Sequence, residues 1–145
     1  MKDQIRILLV EDNKHDQYFF THAIREIEHA TLYHIANNGQ EALNKLADPG
    51  ILPDLIFTDI NMPVMDGIEC LSQILKNPEI KHIPVIVLSG DKKQIPIVRA
   101  LGAKAFIEKP SDYSMLRKQI EHIISIYFVA QGQVSEKFQT LLSTF

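Results

Sequence analysis

Five polar residues close short apolar runs, and their types suit the handling of a charged oxyanion. Glu11 and Asp12 follow "IRILLV", Asp59 follows "LIFT", Ser89 follows "VIVL", and Lys109 follows "AFIE". Three carboxylates brought within a few ångströms repel and resist ionising together. A hard divalent cation relieves this, and oxygen donors completed by water suit Mg²⁺, with Mn²⁺ as a substitute. Asp12 and Asp59 are then the direct ligands, and Glu11 reaches through water. A carboxylate beside such a cation can attack phosphorus and form an acyl phosphate. The cation and Lys109 would neutralise charge on the transferring group, and Ser89 offers a hydroxyl to one of its oxygens.

Taken singly, these residues are unremarkable in type. Asp12 or Asp59 alone reads as a helix cap or loop acid, Ser89 as a turn residue and Lys109 as a solvated charge. Asp54, after Pro53, reads as a turn acid at a strand start, and Asp66-Gly67 as a turn with Asp66 capping the next helix. The conjunction is what carries weight, because one edge of one fold can gather the whole set.

The elements that must do the gathering are legible. Apolar runs occupy residues 5–10, 31–36, 55–58, 83–88 and 105–107. Several are apolar on consecutive positions, as strands covered on both faces require. Between them lie helical stripes, among them Phe20, Ala23, Ile24 and Ile27, and later Leu116, Ile120, Ile123, Ile124 and Tyr127. The stretch 91–101 is the weakest helix, because Pro96 is tolerated only in a first turn. The order is strand and helix repeated five times. Right-handed crossovers then predict an α/β, doubly wound five-stranded parallel sheet, order 2-1-3-4-5, with its crevice where the first and third strands diverge. Strands 1, 3, 4 and 5 bring Glu11, Asp12, Asp59, Ser89 and Lys109 to that edge.

Bulk properties narrow the classes. The chain has 145 residues, a net charge of −3 and one cysteine, Cys70. No dense Lys/Arg cluster supports sequence-independent nucleic-acid binding, which phosphate neutralisation drives. No apolar run approaches the ~20 residues of a membrane span. The lone cysteine and the absence of a secretion pattern fit a reducing, cytoplasmic setting.

In this light "ILLVEDN", "PDLIFTDINMPVMDG", "VIVLSG" and "GAKAFIEKP" resemble the signature segments of receiver domains of two-component response regulators. The likeness runs in order from about residue 5 to about residue 127. Its form is similar to the chemotaxis receiver and to stand-alone receivers that pair with phytochrome-type kinases. The resemblance implies a flavodoxin-like (βα)5 fold and a single-domain regulator in a phosphorelay, not an enzyme beyond its own phosphotransfer and autodephosphorylation. Asp59 would accept a phosphoryl group from a phosphohistidine on a sensor histidine kinase or histidine phosphotransfer protein. Glu11 and Asp12 would be the acidic pair, and Asn61 would give its backbone carbonyl to Mg²⁺. Ser89 would be the switch hydroxyl, Lys109 the phosphate-pairing lysine, and Phe106 the rotating aromatic. The Lys109–Pro110 bond is expected to be cis. Asn61 and Asp91 flank the path of attacking water, so autodephosphorylation is expected over seconds to minutes.

The resemblance also implies a response. The Ser89 loop moves toward the phosphoryl group, Phe106 fills the space vacated, and the fourth helix, fifth strand and fifth helix present a changed surface to an output protein. Three departures bear on it: Phe106 where Tyr is frequent, Gly90 where Ala is frequent, and Pro96 in the fourth helix. Residues 1–130 are read as the receiver domain and 131–145 as a C-terminal extension. There Val134, Phe138, Leu141, Leu142 and Phe145 share one face of a short amphipathic helix, packed on its own domain or serving a homodimer. The tail is too short for a DNA-binding domain. A phosphorylation-independent pseudo-receiver and an aspartate-nucleophile phosphatase are the alternatives. Such phosphatases commonly carry a second acid two residues after the nucleophile, where this chain has Asn61. A flavodoxin-like cofactor carrier lacks support, since "EDNKHD" is no glycine-rich phosphate loop.

Overall fold

Consecutive burial builds the sheet. The computed structural model describes residues 4–132, in which β1 (Ile5–Val10), β2 (Ala30–Ala36), β3 (Leu55–Thr58), β4 (Val85–Ser89) and β5 (Ala105–Glu108) alternate with helices. Those helices are α1 (Lys14–Arg25), α2 (Gly39–Leu46), α3 (Gly67–Lys76), α4 (Ile95–Leu101) and α5 (Tyr113–Gly132). The strands lie in the order β2-β1-β3-β4-β5, and each neighbouring pair is parallel. Every residue of β3 and β4 is buried, as a strand with helices on both faces must be. One face packs Ile7, Leu9, Phe57 and Leu88 against Phe20 of α1 and Ile120 and Ile124 of α5. The other packs Leu8, Val10, Ile56 and Val87 against Ala42, Leu71 and Val98 of α2, α3 and α4.

Caps fix where the helices begin. Asn13 accepts from the Asp16 N–H at 3.0 Å, Asn38 from Glu41 at 2.9 Å, and Asp66 from Glu69 at 2.8 Å. The last is the cap expected of Asp66. α4 is short and starts late, with Pro96 in its first turn and a 3₁₀ turn, Lys92–Gln94, before it. It ends at Gly102, whose φ of +113° suits glycine.

Some boundaries differ from expectation. β4 begins at Val85 rather than at residue 83. Ile83 instead closes a turn by donating to the Ile80 carbonyl at 3.0 Å, and Pro84 has no N–H for the ladder. β2 begins one residue earlier, at Ala30. α5 is described as far as Gly132. The face formed by Val134 to Phe145 lies outside the described residues. The Lys109–Pro110 bond is not cis, nor is any other peptide bond among the described residues. Trans is the default geometry even before proline, favoured by about 0.5–1 kcal/mol. No helix of the described residues is long and apolar enough to cross a membrane.

The loop after β3 is the most constrained connection. Val64 sits at φ 69°, a conformation that a β-branched side chain rarely adopts. It is the centre of a tight turn in which the Met65 N–H donates to the Pro63 carbonyl at 2.7 Å. The Met65 carbonyl in turn accepts from the Gly39 N–H at 2.9 Å, so α2 holds the turn in place. A left-handed non-glycine residue costs about 1–3 kcal/mol and persists where its surroundings over-determine it. Here those surroundings run straight on from Asp59.

Candidate functional site

Backbone pairing continues one residue beyond the strands and so sets where the polar side chains emerge. The Glu11 N–H donates to Ala36 at 2.9 Å, Asp59 to Val10 at 3.0 Å, and Lys109 to Ser89 at 2.9 Å. All four strands expected to deliver chemistry therefore deliver it at one edge. The Lys109 ammonium stands at the centre. It donates to Glu11 Oε1 at 2.8 Å, to Asp16 Oδ2 at 2.8 Å and to Asp59 Oδ2 at 3.0 Å. An ammonium has three protons, and three carboxylates take them.

Glu11, Asp12 and Asp59 each offer a carboxylate oxygen, and these oxygens lie within 4.8 Å of one another. Their settings differ. Glu11 is 2% exposed and Asp12 is exposed, while Asp59 lies between. The other oxygens are held by backbone. Glu11 Oε2 accepts from Asn13 at 3.1 Å, and Asp59 Oδ1 accepts from Ile60 at 2.7 Å. The Gln17 side-chain amide donates to the Glu11 carbonyl, tying α1 to the end of β1.

Gly67 lets the loop close over Asp59. A Cβ there would lie 1.9 Å from the Asp59 carbonyl oxygen, and the Gly67 N–H donates to the Ile60 carbonyl at 2.7 Å. No side chain fits between α3 and the residue it approaches.

Electrostatics follow from burial. Loss of water pushes the Glu11 carboxyl from 4.5 up to about 7; the Lys109 hydrogen bond pulls it down, and the Asp59 charge raises it. For Lys109, burial alone would lower the ammonium's value. Its hydrogen bonds to Asp16 and Glu11 and the charge on Asp59 outweigh that and raise it. A rim with Glu11, Asp12, Asp16 and Asp59 around one lysine is short of positive charge.

This makes stability depend on pH in a defined sense. Native Glu11 keeps its proton up to about pH 7, whereas the unfolded chain releases it near 4.5. The resulting stabilisation is fully present below 4.5 and is lost as pH rises through 7. In EDTA, the wild type should lose up to about 3 kcal/mol from this group between pH 4.5 and pH 8, relative to Glu11→Gln. Urea unfolding of both proteins at stepped pH reads the difference. Parallel curves across the window would contradict it.

The other expected residues lie on β4, on β5 and in the loops after β3 and β4. Ser89 is buried, and its Oγ accepts from the Asp91 N–H at 3.2 Å. Asp91 caps the turn before α4, accepting from the Lys93 N–H at 3.0 Å and the Gln94 amide at 3.4 Å. Its carboxylate is thus engaged with the start of α4. Asn61 is exposed in the loop two residues past Asp59 and is not in the carboxylate trio. Phe106 is 8% exposed and packs in the same core as Val87 and Val98. The inward position expected after phosphorylation is therefore already filled. A phenylalanine ring has no hydroxyl whose burial would need a partner, so nothing opposes that position. Lys92 pairs with Glu108 at 3.2 Å, linking the Ser89 loop to the end of β5.

Asp16 is the residue the sequence reading missed. It lies in the first turn of α1, and only the fold carries it to Lys109. A usable signal was present in Asn13, a cap that fixes the helix start and so the direction of the first-turn side chains.

Residues 7–121 match the family model described as "Response regulator receiver domain". The chain belongs to that family. Among receiver relatives, it is 31% identical over 130 residues to "Response regulator Rcp1" of Synechocystis sp., covering 83% of this chain and 87% of that protein. A solved structure of the phosphorylated cyanobacterial phytochrome response regulator RcpA superposes with a TM-score of 0.76 at 30% identity, covering 86% of this chain and 94% of that one. The Mn²⁺-bound form of Rcp1 gives 0.68 at 30% identity, covering 81% and 90%. Other receiver relatives are far longer. The chain spans 34% of a Trichodesmium erythraeum protein-glutamate methylesterase/protein-glutamine glutaminase, covering 83% of itself at 33% identity. It spans 5% of the Dictyostelium discoideum hybrid signal transduction histidine kinase M, covering 81% of itself at 33% identity.

Proposed function

We propose that this receiver acts as a stand-alone response regulator whose Asp59 accepts a phosphoryl group from a phosphohistidine. The observation that carries this is the Lys109 ammonium held 3.0 Å from Asp59 Oδ2, beside a carboxylate trio. An Asp59 oxygen attacks phosphorus, forming a P–O bond as the P–N bond to the donor imidazole breaks. The imidazole nitrogen leaves with the electron pair and is protonated from solvent. Lys109 stays protonated and redirects its N–H hydrogen bond from the carboxylate to a phosphoryl oxygen, opposing the negative charge delivered there.

The residues present fit a hard dication. The trio supplies oxygen donors only, Glu11 and Asp12 add to Asp59, and the rim lacks positive charge. Mg²⁺, or Mn²⁺ in its place, would be held by Asp12 and Asp59, by Glu11 through water, and by the Asn61 carbonyl. When bound, it supplies charge neutralisation for the acids and for the phosphoryl oxygens. The Mn²⁺-bound form of Rcp1 supports that choice of ion.

Phosphorylation adds about −2 charge and strong acceptor oxygens. The Ser89 hydroxyl can turn from the Asp91 N–H to such an oxygen, drawing the loop that leads into α4. With Phe106 already inward, that loop carries the change, and the Lys92–Glu108 pair passes it to β5. The surface of α4, β5 and α5 is the output face, where Ile97 and Met115 stand half exposed. A sensor histidine kinase or histidine phosphotransfer protein is the donor class, in the cytoplasm, and a homodimer is one form of output. The complete set of acids and lysine weighs against a pseudo-receiver. Asn61, where a phosphatase of this chemistry commonly has an acid, weighs against that enzyme.

Incubation with phosphoramidate and Mg²⁺ should add one phosphoryl mass to the wild type and none to Asp59→Asn. Equal gain in both proteins would reject Asp59 as acceptor.

A further inference from the structure

We propose that Asp16 is a positioning residue for phosphoryl transfer, holding the Lys109 ammonium over Asp59 as the acceptor charge is consumed. This rests on the reading of Asp59 as acceptor and adds a residue to it. Lys109 donates to Glu11, Asp16 and Asp59 at 2.8, 2.8 and 3.0 Å. Acylation of phosphate by Asp59 leaves the negative charge on the phosphoryl oxygens, and the Lys109 N–H that faced the carboxylate turns its hydrogen bond to one of them, the ammonium keeping its protons. The other two bonds then decide where the ammonium sits.

Those two are not equivalent. Glu11 belongs to the trio that gathers with Asp12 and Asp59, and its second oxygen is bound to the Asn13 N–H. Asp16 lies outside the trio, so its carboxylate stays with Lys109 whatever the trio holds. Its backbone is fixed as well, since the Asp16 N–H donates to the Asn13 cap at 3.0 Å. A carboxylate in the first turn of a helix is also favoured by the helix dipole. Beside the pair lies a cavity of about 210 Å³ walled by Phe19, Phe20, Leu88 and Leu116. Asp16 is 41% exposed, so its ion pair with Lys109 is only partly shielded from water.

The consequence reaches across the fold. Asp16 stands on α1 and Lys109 follows β5, so the pair ties together elements 93 positions apart in the chain. Asp16→Asn should slow phosphorylation by phosphoramidate in Mg²⁺ by about threefold to fivefold, the scale of a partly exposed ion pair. Asp16→Glu should restore most of the rate, since it restores the charge. The deciding arm is Lys109→Ala. In that background Asp16→Asn should change the rate no further, because its effect passes through the lysine. A merely structural role would appear equally in both backgrounds.

A second readout is independent of turnover. Side-chain ¹⁵N spectra should show slow exchange of the Lys109 ammonium protons in wild type and faster exchange in Asp16→Asn. An unchanged or raised rate in Asp16→Asn, or an equal drop with and without Lys109, overturns the assignment of Asp16. Failure of the wild type to take up phosphate, or uptake by Asp59→Asn, overturns the acceptor reading instead.

Discussion

Lys109→Ala is expected to take up phosphate about 100-fold more slowly than wild type at saturating Mg²⁺, the usual scale for losing one preorganised donor at developing charge. The ammonium lies 3.0 Å from Asp59 Oδ2 and, among the described residues, is the one positive side chain shown bonded to the carboxylate trio. Without it, charge arriving with the phosphoryl group meets Glu11, Asp12 and Asp16 with nothing from the protein to oppose it. The variant should fold, because Glu11 can take up a proton when its partner is lost. Its pKa then rises beyond about 7, since the Lys109 hydrogen bond was holding it down. Initial rates of mass gain with phosphoramidate, beside a thermal melt of each protein, separate chemistry from folding. A rate within about threefold of wild type would mean that Lys109 does not act on the transferring group.

Gly67→Ala has the largest expected effect on stability. The added Cβ would lie 1.9 Å from the Asp59 carbonyl oxygen and 2.9 Å from Ile60 Cα, and both neighbours are backbone. Neither can rotate away as a side chain would. Either α3 withdraws, breaking the Gly67 to Ile60 hydrogen bond, or the Asp59 peptide shifts. The first opens the core around Leu71 and the second moves the Asp59 carboxylate away from Lys109. A cost of about 3 kcal/mol is the scale of overpacking in a rigid site. For a domain of this size that lowers Tm by about 10 °C. Calorimetry reads the first loss and phosphoramidate uptake the second. A Tm within about 2 °C of wild type, with an unchanged rate, would show that the loop is softer than its contacts imply.

Most of the fold was legible because burial on both faces leaves a plain record. "LIFT" and "VIVL" admit no polar residue, and each became a strand buried throughout. The parallel order followed from alternation with helical stripes, and it placed Glu11, Asp12, Asp59 and Lys109 at one edge. Asp16 was not legible in that way. Its partner is a lysine far along the chain, and no local spacing encodes their meeting. Asp54 was read as a turn acid, yet its carboxylate accepts the Arg6 N–H at 2.8 Å and so pins the start of β3 to β1. Pro96 correctly marked a late, short α4, since it has no N–H to donate back to Lys92 and carry an α-helix through the preceding 3₁₀ turn. The inward Phe106 and the trans bond before Pro110 depart from what the family resemblance suggested. The burial of Phe106 depends on its packing with Val87 and Val98, which a pattern of residue types does not carry.

The claim on which the rest depends is that Asp59 itself becomes the phosphorylated side chain. Borohydride reduction of the phosphoramidate-treated protein, followed by peptide mass spectrometry, locates an acyl phosphate directly. A reduced side chain is expected at position 59, absent when EDTA replaces Mg²⁺. Reduction at Glu11, Asp12 or Asp16 instead, or a phosphate on histidine with position 59 untouched, would contradict it.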